Sequence, residues 1–283
     1  MSQKSNDGSA TVYLIPTPIG NYDDITLRAL QLLKELDVLF CEDTRETALL
    51  LSHYDIKKRL IASHQFNEEQ NGEKILEYLK KGVSVGIVSD QGTPIISDPG
   101  YLLSKIAIEN NYNVVGLPGA TAFVPALIMS GLPPHPFLFY GFLNSKESKR
   151  KSELEELKYE SYTMIFYEAP HRIQKCITDL YEVFGERKIS IAREISKKYE
   201  EIYRGELSTI SSQIIDIKGE IVIIVDGKKQ EEEQNDLTIN EQVDQIVSMG
   251  MPLKDAIKEV AKLRHMSKSQ VYSSYHKEGR EWS

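Results

Sequence analysis

The residues best suited to chemistry lie in one stretch of the sequence, residues 83–100, where an apolar run passes directly into a loop rich in glycine and proline. This loop carries Ser89, Asp90, Thr93 and Asp98. Open α/β sheets bind their ligands in loops at the carboxyl ends of strands. Glycine lets the backbone approach a ligand closely, and a carboxylate can accept a hydrogen bond from a hydroxyl or face a cation. The plainer alternative is a turn whose aspartates only cap helices.

Several further loops of this composition follow predicted strands. They are PTPIGN at residues 16–21, EDTR at 42–45, SDQGTP at 89–94, LPGAT at 117–121 and EAPHR at 168–172. Because each follows a strand, we expect them to meet at the carboxyl edge of the sheet and to form a cleft. The glycine-rich patterns of Rossmann dehydrogenases and P-loop enzymes do not occur in the sequence, which argues against both classes.

Alternating strands and helices position these loops in the first half of the chain. The predicted strands are residues 11–15, 38–41, 60–62, 83–88 and 113–115, and the predicted helices are residues 26–36, 44–54, 73–80, 102–109 and 121–130. This alternation predicts βαβ units and a mainly parallel sheet. The segment GLPPHP at residues 131–136 interrupts the pattern, so we expect a first domain over residues 11–133.

In the second half of the chain, the predicted strands do not alternate regularly with helices. These strands are residues 163–167, 189–192, 201–204 and 221–225, with a helix at 173–184. Residues 199–205 follow the preceding strand too closely for a crossover helix, which favours a mixed sheet. We therefore expect a second α/β domain over residues 134–227.

A charged segment without periodicity, KKQEEEQND at residues 228–236, predicts a linker to a tail over residues 237–283. Apolar spacing indicates a helix at residues 253–264, and Ser267 is a predicted N-cap of a second helix that presents Val271 and Tyr275. From Met251 onward the tail has seven Lys or Arg against four Asp or Glu. A basic helix-turn-helix-like pair suits a phosphate backbone; a helical cap packed on the catalytic body is the alternative.

Composition limits the function classes. The chain has 283 residues, 41% of them hydrophobic, and a formal net charge of −8. Such a chain is long enough for two ordinary domains, and its charge argues against a surface dominated by nucleic-acid electrostatics while leaving local basic patches possible. The opening residues do not resemble a leader, and no apolar run is long enough to span a membrane. The two cysteines lie far apart, which fits a reducing compartment. We therefore expect a cytoplasmic protein. No cluster has a convincing metal-ligand spacing, so we expect no metal, and an acidic Mg²⁺ site is the open alternative.

The motifs PTPIGN, EDTR, VSDQGTP, SDPG, LPGAT, FYEAPHR and ARE occur here in this order. Together they resemble the tetrapyrrole methylase superfamily, and most closely the branch that methylates the ribose 2′-hydroxyl of a cytidine in small-subunit ribosomal RNA. Two departures border the expected cofactor pocket: Gln91 stands where that branch usually has Ala, and Ala120 where it usually has Pro.

The resemblance implies two α/β domains that hold S-adenosyl-L-methionine between them, and a homodimer. Family contacts with the cofactor correspond to Ile19, Asp90, Thr93, Thr121, Ala122, Tyr167, Ala192 and Glu220. Helix N-termini and loop amides suit a carboxylate and adenine edges, and acidic side chains suit ribose hydroxyls. For Ile19 and Ala192, ordinary packing is the alternative.

Methyl transfer to a ribose hydroxyl requires that the hydroxyl be aligned and lose its proton. The candidates for this work are Glu42, Asp43, Arg45, His64 and Asn67. A carboxylate or histidine can act as the base, and Arg45 or Arg172 can hold a phosphate. In the plainer alternative Asp43 caps the following helix, Glu42 pairs with Arg45, and His64 is a loop histidine.

The expected function is therefore S-adenosylmethionine-dependent methylation of small-subunit ribosomal RNA. Two alternatives stay open. One is a methyltransferase of tetrapyrrole-like small molecules, which needs no basic tail. The other is a non-catalytic RNA-binding assembly factor that retains the cofactor fold.

Overall fold

The computed structural model describes residues 3–5, 7–64, 67–214, 217–229, 237–264 and 266–277. The chain forms two compact units, Met1–Lys228 and Lys229–Ser283. The division falls at the start of the predicted linker, and residues 230–236 of that linker lie outside the described residues. No helix in the described part of the chain is long and apolar enough to cross a membrane.

The first sheet has five parallel strands in the order β3-β2-β4-β1-β5. The strands are β1 (Thr11–Ile15), β2 (Val38–Cys41), β3 (Arg59–Ala62), β4 (Val85–Val88) and β5 (Asn113–Gly116). The chain leaves β1 toward β2 and leaves β4 toward β5, in opposite directions along the sheet. A crevice therefore opens between the carboxyl ends of β1 and β4, which is the usual ligand site of such sheets.

Helices cover both faces of this sheet. They are α1 (Leu27–Glu35), α2 (Thr44–His53), α3 (Glu68–Lys80) and α4 (Tyr101–Glu109), whereas the next helix, α5 (Phe123–Ser130), packs on strands of the second half of the chain. Every residue of β2 and β4 is buried, which explains why both strands read as continuous apolar runs.

Helix α3 begins five residues before the predicted start at residue 73. Its first turns bury Asn71 and Gly72 instead of large apolar side chains. The apolar period that signals a helix is therefore absent from its beginning.

The second sheet is mixed, as expected, with the order β6-β7-β10-β8-β9. Its strands are β6 (Phe137–Phe142), β7 (Thr163–Glu168), β8 (Lys188–Arg193), β9 (Glu201–Glu206) and β10 (Ile221–Val225), and its helices are α6 (Glu147–Leu157), α7 (Ile173–Phe184) and α8 (Leu207–Gln213). The β6–β7 pair is parallel and the other pairs are antiparallel. Strand β6 and helices α6 and α8 were not predicted.

Helix α5 packs on the second sheet. It lies before the predicted boundary at residue 133, yet its Ala126 and Leu127 pack with Ile165 and Val222 of the second sheet. Ile19, from the loop after β1, belongs to the same apolar cluster. The floor of the region between the sheets is therefore a shared core, and the boundary itself stays a prediction.

Within residues 237–264 and 266–277 the tail unit contains three helices, α9 (Ile239–Ser248), α10 (Leu253–Leu263) and α11 (Lys268–Lys277), so the expected helix pair was incomplete. A capping box formed by Thr238 and Glu241 begins α9. Ser267 caps α11 as predicted, because its hydroxyl accepts from the Gln270 amide at 3.3 Å. The three helices bury a core of their own that includes Val260 and Val271.

Candidate active site

A cavity of about 340 Å³ lies within the larger unit. Residues after β1 and β4, at the start of α5, after β7 and at the start of β10 line it. The wall comprises Ile19, Gln91, Gly92, Thr93, Ile96, Ser97, Asp98, Thr121, Ala122, Phe123, Phe142, Tyr167, Glu168, Ala169, Pro170, Ile195, Glu220, Ile221 and Val222. This volume lies in the range of small-molecule sites.

Backbone hydrogen bonds tie the loops of this wall together. Thr17 and Gly92 exchange two amide–carbonyl bonds, of 2.9 and 3.0 Å, which join the loop after β1 to the loop after β4. The Thr17 hydroxyl donates to the Ser89 carbonyl at 3.1 Å, and the Thr93 hydroxyl donates to the Ala120 carbonyl at 2.9 Å. These bonds hold three of the predicted loops in one arrangement.

The loop after β4 also contains an unusual backbone conformation. Gly92 and Gly100 have φ values of 80° and 120°, which suit glycine. Ile95 has a φ of 79° although it is β-branched, a conformation that is rare and costs energy. This strained residue lies between Thr93 and Ile96, which line the cavity.

The structure brings most of the predicted cofactor residues together. Six of the eight line the cavity: Ile19, Thr93, Thr121, Ala122, Tyr167 and Glu220. Ala192 is fully buried in the apolar cluster beneath it and pairs with Val222 across β8 and β10. Asp90 also lies outside the wall. Sequence reasoning missed the wall residue Phe142, whose apolar side chain carries no chemical signal; Ser97 and Pro170 lie in the SDPG and EAPHR segments but received no role there.

Asp90 instead supports the turn after β2. Its Oδ1 accepts a hydrogen bond from the Asp43 amide at 3.0 Å. Burial raises the pKa of Asp90 above its ordinary value; the hydrogen bond from the Asp43 amide opposes this shift, and the charge of Asp43 adds to it. Asp90 therefore links the turn after β2 to the loop after β4.

Asp43 and Arg45 follow the plainer alternative. The Asp43 carboxylate caps α2 by accepting from the Arg45 amide at 2.8 Å, and it pairs with the Arg45 guanidinium at 2.5 Å. The hydrogen bonds from Arg45 hold the pKa of Asp43 down to about 2. Such a carboxylate is a weak base. The plainer alternative also paired Glu42 with Arg45, but Arg45 pairs with Asp43 instead.

Glu42 and Asp98 line a second, much smaller cavity at the carboxyl ends of β2 and β4. Burial first, and then the charges of Asp90 and Asp43, raise the pKa of Glu42. Burial first, and then the charges of Glu42 and Asp90, raise the pKa of Asp98 to about 6. Asp98 was noticed in the sequence only as a loop carboxylate and received no role there.

His64 and Asn67 shape the turn between β3 and α3. The His64 amide donates to Asn67 Oδ1 at 2.9 Å, and Asn67 Nδ2 donates to the Ala62 carbonyl at 3.1 Å. Neither residue lines either cavity. The intervening residues of the SHQFN motif, 65 and 66, lie outside the described residues.

Arg172, a predicted phosphate ligand, is bound within the protein. Its guanidinium pairs with Glu168 at 2.5 Å, and its side chain is only 18% exposed. The Glu168 carboxylate, which is fully buried, also accepts from the Ala169 amide at 2.7 Å. Arg172 therefore neutralises a wall carboxylate.

Two further contacts define the far side of the cavity. Glu220 pairs with Lys197 at 2.8 Å. The ring of Tyr167 packs edge-on against Phe139 and Phe142, and burial, with smaller contributions from the charges of Asp98 and Glu220, raises its pKa to about 12. Among the residues that the structure describes, no cluster of His, Cys, Asp and Glu is arranged to hold a metal ion.

This arrangement can bind a polar organic molecule of moderate size. The start of α5 contributes main-chain donors that suit an anionic group. Carboxylates on the wall suit hydroxyl or amino donors, and the aromatic and aliphatic residues provide apolar contact.

Comparison with known proteins gives a consistent result. Residues 11–211 match the family model described as Tetrapyrrole (Corrin/Porphyrin) Methylases. The ribosomal RNA small subunit methyltransferase I of Bacillus subtilis (strain 168) is 43% identical over 98% of this chain and 97% of its own length. The protein of the same name from Halalkalibacterium halodurans is 41% identical over 98% of both chains.

Solved structures share the fold at much lower identity. The methyltransferase CobJ aligns with a TM-score of 0.58 and 20% identity over 78% of this chain and 95% of its own. A uroporphyrin-III C-methyltransferase from Thermus thermophilus, complexed with S-adenyl homocysteine, aligns with a TM-score of 0.54 and 18% identity over 77% of this chain and 98% of its own.

Proposed function

The chain belongs to the tetrapyrrole methylase family, and from this premise we propose that it is an S-adenosyl-L-methionine-dependent methyltransferase of small-subunit ribosomal RNA. We propose further that the methyl group goes to the ribose 2′-hydroxyl of a cytidine. The first part rests on the names of the relatives, and the second rests on the motifs PTPIGN, EDTR and FYEAPHR.

The observation that carries this proposal is the extent of the match to relatives named for ribosomal RNA. It covers 97–98% of both chains in the two relatives described, so it includes the tail as well as the methylase fold. The tetrapyrrole-type structures align with only 77–78% of this chain. A function that uses the whole chain, tail included, is therefore favoured over methylation of a small molecule.

The cavity suits the proposed cofactor. Thr121 and Ala122 lie at the N-terminal end of α5, whose amides and dipole favour the carboxylate of the methionine part. Ile19 and Tyr167 provide apolar contact, and Glu220 provides an acceptor for hydroxyl or amino donors. We assign the cofactor to this cavity, with Thr93 fixing the loop beside it.

S-adenosylmethionine, when bound, supplies an activated methyl group on a sulfonium. The chain must then supply alignment and a base, because a ribose hydroxyl is a poor nucleophile until it loses its proton. Water must also be kept from the reacting centre. The apolar lining and the tied loops of the cavity suit that task.

We also propose that the enzyme acts as a homodimer in the cytoplasm, where small-subunit ribosomal RNA is its macromolecular partner. Large apolar side chains on the surface of the larger unit support self-association, since Leu27 and Ile128 are 87% and 71% exposed. Light scattering checks the stoichiometry: we expect twice the monomer mass.

The experiment combines the purified chain with labelled S-adenosylmethionine and either naked small-subunit RNA or assembled subunits. A 2′-O-methyl group protects the adjacent phosphodiester from alkali, because the 2′-hydroxyl is the nucleophile in that cleavage. We expect one alkali-resistant cytidine to acquire label. Label on a base would contradict ribose methylation, and transfer to uroporphyrinogen without transfer to RNA would support the small-molecule alternative.

A further inference from the structure

Asp98 occupies a position that no other acidic residue shares among the described residues lining the two cavities. It lines the large cavity assigned to the cofactor, and it also lines the small cavity that contains Glu42. Asp98 therefore borders both the cavity assigned to the cofactor and the small cavity beside the turn after β2.

The other carboxylates of the large cavity are already neutralised. Glu168 pairs with Arg172 at 2.5 Å, and Glu220 pairs with Lys197 at 2.8 Å. No hydrogen bond or ion pair to the carboxylate of Asp98 is present within the described part of the chain. Among the described acids that line this cavity, Asp98 is therefore the one whose charge has no cationic partner; Glu168 Oε2 accepts no hydrogen bond, but Arg172 offsets the charge of that carboxylate.

The bases expected from the sequence are placed less well. Asp43 is occupied by Arg45 and by its helix cap. Glu42 lines only the small cavity, and His64 lines neither. Tyr167 lines the large cavity, but burial keeps its hydroxyl protonated by raising its pKa to about 12.

We propose that Asp98 is the general base that accepts the proton of the hydroxyl to be methylated. This inference rests on the proposed function. The hydroxyl oxygen forms a bond to the methyl carbon while the carbon–sulfur bond breaks and its electron pair goes to sulfur. The hydroxyl proton passes to the Asp98 carboxylate and then to solvent.

The acidity of Asp98 agrees with this role. Burial, together with the charges of Glu42 and Asp90, raises its pKa to about 6. It is then ionised at neutral pH and is a stronger base than an ordinary aspartate. The titratable groups around it are Glu42 and Asp90 from the first sheet, Tyr167, Glu168 and Glu220 from the second, and Glu68, which accepts from the nearby Gly100 amide.

A raised carboxyl pKa also has a consequence for stability. The folded chain holds the Asp98 proton more tightly than the unfolded chain, so ionisation of Asp98 lowers the free energy of unfolding as pH rises from about 4 through about 6. An asparagine at this position has no charge to bury. Asp98→Asn should therefore leave the unfolding temperature at pH 8 equal to or above that of the wild type.

The test measures single-turnover methylation of small-subunit RNA across pH 5–9 for wild type, Asp98→Asn and Glu42→Gln, with Asp37→Asn as a surface control. Cofactor affinity by calorimetry and unfolding temperature are measured on the same proteins. We expect the wild-type rate to rise tenfold per pH unit below about 6 and then to level off. We expect Asp98→Asn to lose at least about 100-fold in rate and to lose this pH dependence, with cofactor affinity unchanged within about threefold.

Three results would overturn the assignment. The first is an Asp98→Asn variant that methylates at the wild-type rate with the wild-type pH profile. The second is a rate that no longer depends on pH below about 6 in Glu42→Gln but still does in Asp98→Asn. The third is an unfolding temperature of Asp98→Asn that falls clearly below that of the wild type at pH 8. A wild type that methylates no RNA would contradict the proposed function instead. The unfolding temperature of Asp98→Asn at pH 8 would then still be informative. A value equal to or above that of the wild type would show that the ionised Asp98 carboxylate destabilises the fold, and a lower value would show that Asp98 stabilises it.

Discussion

The two units of this chain distribute charge in opposite ways. In the larger unit, burial raises the pKa values of Glu42, Asp90 and Asp98, and the charge of Asp90 raises those of Glu42 and Asp98 further. In the tail unit, Lys254, Lys258 and Lys262 are exposed at four-residue intervals along α10. Overall net charge therefore says little about the ligand of either region.

The tail also shows how a small helical unit separates its two faces. Ala256, Ile257 and Val260 of α10 are buried in the core of the unit, and the lysines lie between these positions on the exposed side. Residues four apart on a helix are neighbours on one face. The resulting row of cations suits a phosphate backbone, whereas the acidic cavity suits a neutral or cationic ligand.

The largest expected effect tests whether the two units are stabilised independently. Phe166 is fully buried in the core of the second sheet. Phe166→Ala should lower the free energy of unfolding of the larger unit by about 3–5 kcal/mol, because it leaves a cavity in a close-packed core. Calorimetry should show this transition at a lower temperature and the tail transition unchanged. Equal shifts of both transitions would mean that the units unfold together.

The next effect concerns RNA affinity. Replacing Lys254, Lys258 and Lys262 by Gln should reduce RNA affinity and its dependence on salt. The magnitude of the slope of log association constant against log salt concentration should fall by about two to three, since each phosphate contact contributes about 0.7–0.9. Cofactor affinity should not change. Fluorescence anisotropy with small-subunit RNA at several salt concentrations measures the slope.

The control for this experiment replaces three exposed lysines of the larger unit, Lys34, Lys80 and Lys81, by Gln. It changes the net charge by the same amount. If both triple variants lower the slope equally, the tail has no special role in binding RNA.

A smaller effect is expected for Asp90→Ala. The substitution removes the acceptor of the Asp43 amide and loosens the turn after β2 from the loop after β4. Cofactor binding should weaken by about 1–3 kcal/mol. Calorimetric titration with S-adenosylmethionine provides the measurement, and the exposed Asp37→Asn serves as the control. Unchanged affinity would show that Asp90 neither contacts the cofactor nor orders its loop.

The smallest effect is expected at the beginning of the tail. Thr238→Ala removes the cap of α9 and should cost the tail unit about 1 kcal/mol. Thr238→Ser, which keeps the hydroxyl, should restore most of it. A decrease in the stability of the larger unit, measured by the same calorimetry, would contradict the separation of the two units.

The sequence predicted the first sheet well because its central strands are buried on both faces and its loops carry glycine and proline. It missed β6, whose exposed and bulged sequence FLFYGF lacks the alternation of a half-buried strand. It also missed α9. The loops of the site were predictable from their positions after strands. The base was not, because the neutralisation of Glu168 by Arg172 and of Glu220 by Lys197 depends on long-range contacts that no local pattern contains.

The bonds that tie the cavity wall together determine which substitutions beside the cavity leave those bonds intact. Thr93 bonds to the carbonyl of residue 120, and Thr17 bonds to the backbone of Gly92. Alanine and proline both present that carbonyl, and the backbone of Gly92 is the same whichever side chain precedes it. These bonds therefore do not depend on the side chains at positions 91 and 120, where Gln and Ala stand in place of the residues usual in the branch that the motifs resemble.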